Sequence, residues 1–83
     1  MYEIILSDEA KKQLVKFPPD VRQRIGSAFE RIKIRPHKFV KRLYNSRYYR
    51  LRAGNYRIIL DIKDVQLIIY VIEIGHRREI YKK

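Results

Sequence analysis

The chain has no cysteine in its 83 residues, so disulfides and thiolate metal sites are excluded. That composition suits a reducing compartment, and a cytoplasmic location is expected. Acidic residues are scarce, with 9 Asp and Glu against 20 Lys and Arg, a formal charge of +11. Long hydrophobic runs are also missing. The longest, Leu67 to Ile72, falls far short of the ~20 residues that span a bilayer. The opening Met-Tyr-Glu-Ile-Ile-Leu has neither a basic leader nor a long apolar core, so no secretory signal is expected. Proline and glycine number three each and act as punctuation.

What is present points to one folded domain over residues 1–83. Its length lies near the lower limit for a self-sufficient core. Apolar residues make up 46%, which argues against disorder. The positive charge on so small a surface attracts polyanions, nucleic acid first and an acidic protein second. The bland alternative is a solubilising cationic surface.

Tyr2 to Leu6 reads as a first strand. Ser7 follows as an N-cap, and Asp8 and Glu9 suit the positive end of a helix dipole. Ala10, Leu14 and Phe17 share one helical face, and Pro18-Pro19 ends that helix. A second helix opens at Pro19 or Asp20 and carries Val21, Ile25, Ala28, Phe29 and Ile32 as its apolar stripe. Pro36 limits it to about Arg35. The two helices form a hairpin across one face of a sheet. His37 to Ser46 reads as an irregular basic connector pinned to the core by Phe39, Val40 and Leu43.

Arg47 to Ile62 reads as a β-hairpin. Tyr49, Leu51 and Ala53 alternate with Tyr48, Arg50 and Arg52, and Gly54-Asn55 marks the turn. Arg57 follows at once on the return strand, so Arg50, Arg52 and Arg57 are expected to emerge together. Like charges gathered this way suggest an anion to receive them. A second turn lies within Asp61 to Gln66. Val65 to Ile74 has little alternation and reads as a central strand buried on both faces or covered by a partner. The predicted fold is α+β with the order β-α-α-β-β-β. A helical hairpin packs on one face of a small, mostly antiparallel sheet, with the first strand beside the last. Gly75 then turns the chain into Arg77-Arg78, and Ile80 is expected to anchor the tail.

Tyr49-Arg50-Leu51-Arg52-Ala53-Gly54-Asn55-Tyr56-Arg57-Ile58-Ile59, then Ile74-Gly75-His76-Arg77 and Tyr81, resemble the RelE/ParE superfamily of toxins from type II toxin–antitoxin systems. The resemblance covers nearly the whole chain and is specific for the superfamily more than for a branch within it; the conjunction of Arg50, Arg57, Arg77 and Tyr81 favours the RelE-like branch. It implies an endoribonuclease that cuts messenger RNA in the ribosomal A site, without metal or other cofactor, held inactive by a RelB-like antitoxin. A ParE-like protein would instead act on DNA gyrase. A third reading is a basic RNA-binding module with no catalysis. By resemblance, Arg50, Arg57, Arg77 and Tyr81 match the active face. Tyr48 and Arg50 stand where some RelE proteins have lysine. The short tail leaves little sequence for the family's last helix.

Cleavage by the RNA's own 2′-hydroxyl needs a proton acceptor, cations for the phosphorane and an acid for the leaving 5′-oxygen. Arginine forks suit the phosphorane. Histidine is the side-chain type suited to proton transfer near neutral pH, so His76 is a candidate base, acid or stacking ring, or a plain exposed histidine. Tyr81 and Tyr48 are candidates for stacking or proton transfer, or half-buried aromatics. Arg52, Arg78 and Lys82 are candidates for holding the RNA backbone. His37 is remote, and two histidines without cysteine make a poor metal site.

Overall fold

The structure is a computed structural model and describes residues 1–76. The chain runs β1 (Glu3–Leu6), α1 (Asp8–Lys16), α2 (Pro19–Ile34), α3 (Pro36–Phe39), β2 (Val40–Arg42), β3 (Tyr49–Ala53), β4 (Tyr56–Lys63), β5 (Ile68–His76). The strands form one sheet in the order β1-β5-β4-β3-β2. β1 joins β5 in parallel, and the other pairs are antiparallel. The predicted α+β architecture and the placement of the first strand beside the last are both observed.

Ser7 caps α1 as expected. Its Oγ accepts from Ala10 N at 3.0 Å, and its hydroxyl donates to Ile72 O at 2.7 Å, tying the cap to β5. Ala10 is buried, and Leu14 and Phe17 pack at the core's margin. The α2 stripe of Val21, Ile25, Ala28, Phe29 and Ile32 is buried in full. It faces Leu51, Ala53, Ile58, Leu60, Ile69, Val71 and Ile74 from one side of the sheet.

Three stretches differ from the sequence reading. The connector from His37 contains α3 and the edge strand β2. Only Val40 of its expected anchors packs on the core, while Phe39 is 41% exposed. β2 exists because the edge of β3 offers unpaired backbone groups, which Val40–Arg42 satisfies. Asp61 belongs to β4, and the second turn falls later, so that Val65 is 100% exposed and Leu67 takes a left-handed φ of 57°. Finally, β4 is the central strand, whereas β5 alternates between buried and half-buried positions. An apolar run does not by itself distinguish burial on two faces from a turn followed by one-sided burial.

The β4–β5 ladder shifts between Ile59 and Leu60. Ile59 faces Glu73 and Leu60 faces Val71, which leaves Ile72 as the extra residue. Just past this bulge, Ile74 N donates to Gln13 Oε1 of α1 at 2.6 Å. The Gly54-Asn55 turn has positive φ at Gly54 alone (61°), the pattern of a type II′ hairpin.

Candidate nucleic-acid interface

The face of the sheet away from the helices carries the cations. Leu51, Ala53 and Ile58 point to the helices, so their neighbours Arg50, Arg52 and Arg57 point the other way. Arg52 faces Arg57 directly across the ladder, and Arg50 faces Ile59. The expected convergence is therefore present in position. Exposure differs from the expectation: Arg52 is exposed and Arg50 half-buried, but Arg57 is only 2% exposed. Arg57 lies mid-sheet on β4, where both neighbouring strands flank it, whereas β3 lies one strand from the edge.

From sequence, Lys41 belongs with Lys38 and Arg42 to a basic connector, by default a solvated loop and otherwise an arm on a nucleic-acid backbone; the fold makes it the residue that completes the accessible cluster. β2 pairs with β3 so that Lys41 stands opposite Arg50. Lys41, Arg50, Arg52 and Phe39 line one depression of about 230 Å³. The guanidinium carbon of Arg31 and Lys38 Nζ lie 6.0 and 5.9 Å from the Phe39 ring centroid. A depression lined by two arginines, a lysine and an aromatic ring can receive a phosphate and contact a base beside it. Strand alternation was legible for Arg50 and Arg52. Lys41 carried no such signal, because β2 is only three residues long.

Asp61 was missed. It lies on the same open face, facing Tyr70, and is buried. Arg47 Nε approaches its carboxylate at 3.7 Å and Lys63 Nζ at 3.4 Å. Tyr48 is half-buried, with the Arg47 guanidinium 5.2 Å above its ring.

His76 stands apart from the arginines. The register pairs it with Tyr56, which faces Ala53 and packs beside the core. Its ring meets Tyr56 edge-on at 5.6 Å, and Tyr56 meets Phe17 at 4.9 Å. Strand parity sends its side chain to the helical face, on the opposite side of the sheet from Arg50 and Arg57. Arg77, Arg78, Tyr81 and Lys82, with the expected anchor Ile80, lie outside the described residues. Among the described residues no three His, Asp or Glu side chains are grouped to hold a metal ion.

His37 joins a contact that local sequence does not announce. Its Nε2 lies 2.8 Å from Asp64 Oδ1, and the Tyr2 hydroxyl donates to the same oxygen at 2.7 Å. The hydrogen bond from Tyr2, then that from His37, holds the Asp64 carboxyl below its usual pKa. The same bond to Asp64 raises the Tyr2 phenol. This contact joins the residue before β1, α3 and the β4–β5 turn.

The family model of the ParE toxin of type II toxin–antitoxin systems, parDE, matches residues 4–81. The chain belongs to this toxin family. Solved structures of RelE toxins share the fold. The RelBE2 toxin–antitoxin complex of Mycobacterium tuberculosis aligns with a TM-score of 0.81 at 24% identity, covering 92% of this chain and 98% of the other. The RelB–RelE complex of Methanococcus jannaschii aligns at 0.73 and 26%, covering 93% and 94%. Isolated RelE of Escherichia coli aligns at 0.78 and 23%, covering 99% and 93%. No curated protein matches the sequence. This RelE/ParE-type toxin has no helix, among its described residues, long and apolar enough to cross a membrane.

Proposed function

We propose that this toxin cleaves messenger RNA in the ribosomal A site, using the RNA 2′-hydroxyl as nucleophile. The observation that carries the reading is the depression lined by Lys41, Arg50, Arg52 and Phe39. In the reaction the 2′-oxygen bonds to phosphorus and the bond to the 5′-oxygen breaks, leaving a cyclic phosphate and a free 5′-hydroxyl. Negative charge builds on the non-bridging oxygens, and cations fixed beforehand stabilise it without reorganising. Arg50 and Arg52 are the proposed phosphate ligands, with Lys41 beside them. Arg57 supports the cluster from beneath. Arg77 and Tyr81 remain proposed members by resemblance, and Tyr48 a stacking residue.

Arginine and lysine stabilise charge well but are poor proton acceptors at neutral pH. His76, facing the helices, is assigned no proton transfer. The ribosome supplies the in-line geometry in this reading, so positioning contributes much of the rate. The protein is metal-independent in the same reading.

An antitoxin is the proposed protein partner. Ile5, Ile68 and Tyr70 share the open face near the β1 edge, and the chain as a whole carries a formal charge of +11. An acidic segment with apolar anchors would suit both features. The similar structures named above include RelB–RelE complexes.

Primer extension on translating ribosomes tests the reading. Wild-type protein should cut within the A-site codon, and Arg50→Ala should reduce cleavage by ~10²-fold or more. An intact message with both proteins would sink it. A second reading, inhibition of DNA gyrase, is favoured by the ParE family match. A supercoiling assay in which wild-type protein blocks gyrase would establish that alternative.

A further inference from the structure

We propose that the loop between β2 and β3 is a second nucleic-acid contact, separate from the Lys41–Arg50–Arg52 depression. In it the Tyr44 ring stacks on an unpaired base while Arg42 and Arg47 hold adjacent phosphates. The inference goes beyond the cleavage reading and does not depend on it.

Tyr44 is 92% exposed at the tip of this loop. The loop is nevertheless held in one shape. Leu43 N donates to Tyr48 O at 3.0 Å and closes its ends. Inside, Ser46 N donates to Leu43 O at 3.2 Å, and Tyr48 N to Ser46 Oγ at 3.0 Å. Arg42 Nε donates to Ser46 O at 3.0 Å, crossing the loop from β2. Asn45 takes a φ of 53°, a left-handed turn position that asparagine tolerates. Arg47 is drawn to Asp61 of β4. A tyrosine presented on such a loop loses little further freedom on binding.

The surroundings choose the class of ligand. Arg42, Tyr44 and Arg47 line an open depression of about 670 Å³, together with Leu43, Asn45 and Ser46. Leu43 is half-buried, so no exposed apolar residue accompanies the ring. Protein hot spots need a desolvated apolar surround, which is missing here. No acidic residue occurs between Glu30 and Asp61, and Asp61, the carboxylate near Arg47, is buried. An exposed aromatic ring and two arginines lining one depression match the base-and-phosphate repeat of a single strand.

The test measures binding apart from cleavage. The probe is a fluorescent 2′-O-methyl RNA of about 12 nucleotides, within the usual size of a single-strand site. It lacks the nucleophile and stays intact. A DNA strand of the same sequence forms the parallel arm. Fluorescence anisotropy is read against salt concentration for the full chain. Tyr44→Ala should weaken binding roughly tenfold with an unchanged salt slope, since stacking releases no counterions. Tyr44→Phe should bind like wild type. Arg42→Ala with Arg47→Ala should lower the slope by about 0.7 for each phosphate no longer neutralised. Circular dichroism and the melting temperature of Tyr44→Ala should match wild type.

Tighter binding of one strand identifies the source of the base. If Tyr44→Ala binds both strands as wild type does, the proposal is overturned. The same holds if wild type binds neither strand, or if Tyr44→Ala loses affinity only for an acidic partner peptide. Cleavage at the A site with Tyr44-independent binding would sink this inference alone. Tyr44-dependent binding without any cleavage would uphold it and sink the nuclease reading.

Discussion

Arg52 and Arg57 face each other across β3 and β4, one exposed and the other buried. Like charges directly opposite on a sheet are destabilising by roughly 0.2–1 kcal/mol. Arg52→Ala should therefore keep or slightly raise stability while lowering A-site cleavage. Arg57→Ala relieves the same repulsion but empties one of the largest fully buried side-chain positions, so it should be the less stable of the two. Urea denaturation of the two variants checks the contrast. Equal losses would show that burial does not separate the two arginines.

Gly54 should resist replacement. Its φ of 61° is strained for a side chain, and a Cβ would meet Arg24 Nη1 at 2.9 Å and Cδ at 3.0 Å. The flexible Arg24 can give way, so the backbone conformation decides. Gly54→Ala should cost about 1–3 kcal/mol, and Gly54→Asn distinctly less. Thermal unfolding of the pair measures the difference.

Ser7 makes two bonds with one hydroxyl, capping α1 and reaching Ile72 O. Ser7→Ala should cost about 1–2 kcal/mol. Ser7→Asp should recover part of that, because a carboxylate still caps the helix but cannot donate to Ile72 O. Chemical denaturation of both variants would show the ranking.

Asp64 and Tyr2 respond to pH in opposite senses. The folded pKa of Asp64 lies below the ordinary carboxylate value of 3.8, so its contribution is present above that pH. It is lost as pH falls through the folded value. Tyr2 is raised above the ordinary 10.0, so its contribution is present below that pH and lost as pH rises past its folded value. Tyr2→Phe should move the Asp64 pKa up, and Asp64→Asn should bring the Tyr2 pKa down. NMR titration of the Asp64 carboxyl and the Tyr2 ring reads both shifts. An unmoved Asp64 in Tyr2→Phe would mean that His37 alone holds it.

The helices were legible because their signals are local. Ser7, the Pro18-Pro19 pair and the spacing of Val21 to Ile32 act within a few residues of where they stand. The hairpin at Gly54 was legible for the same reason. Lys41 was not, since a three-residue edge strand is too short to show a period. Val65 and Leu67 misled, because their apolar character continues that of β5 although they form the turn before it.

The sequence by itself determined the α+β class, both long helices and the turn at Gly54. Each rests on periodicity, a cap or a lone glycine, which needs no knowledge of distant residues. Only the tertiary structure decided that Arg57 is buried while Arg52 is exposed, that Lys41 stands beside Arg50, and that His76 faces the helices. It also brought Tyr2 and His37 to Asp64, with 62 residues separating Tyr2 from that carboxylate. These outcomes depend on strand register and on neighbours across the sheet. Register is a cooperative property of the whole ladder, and a one-residue slip would turn every side chain of a strand to the other face.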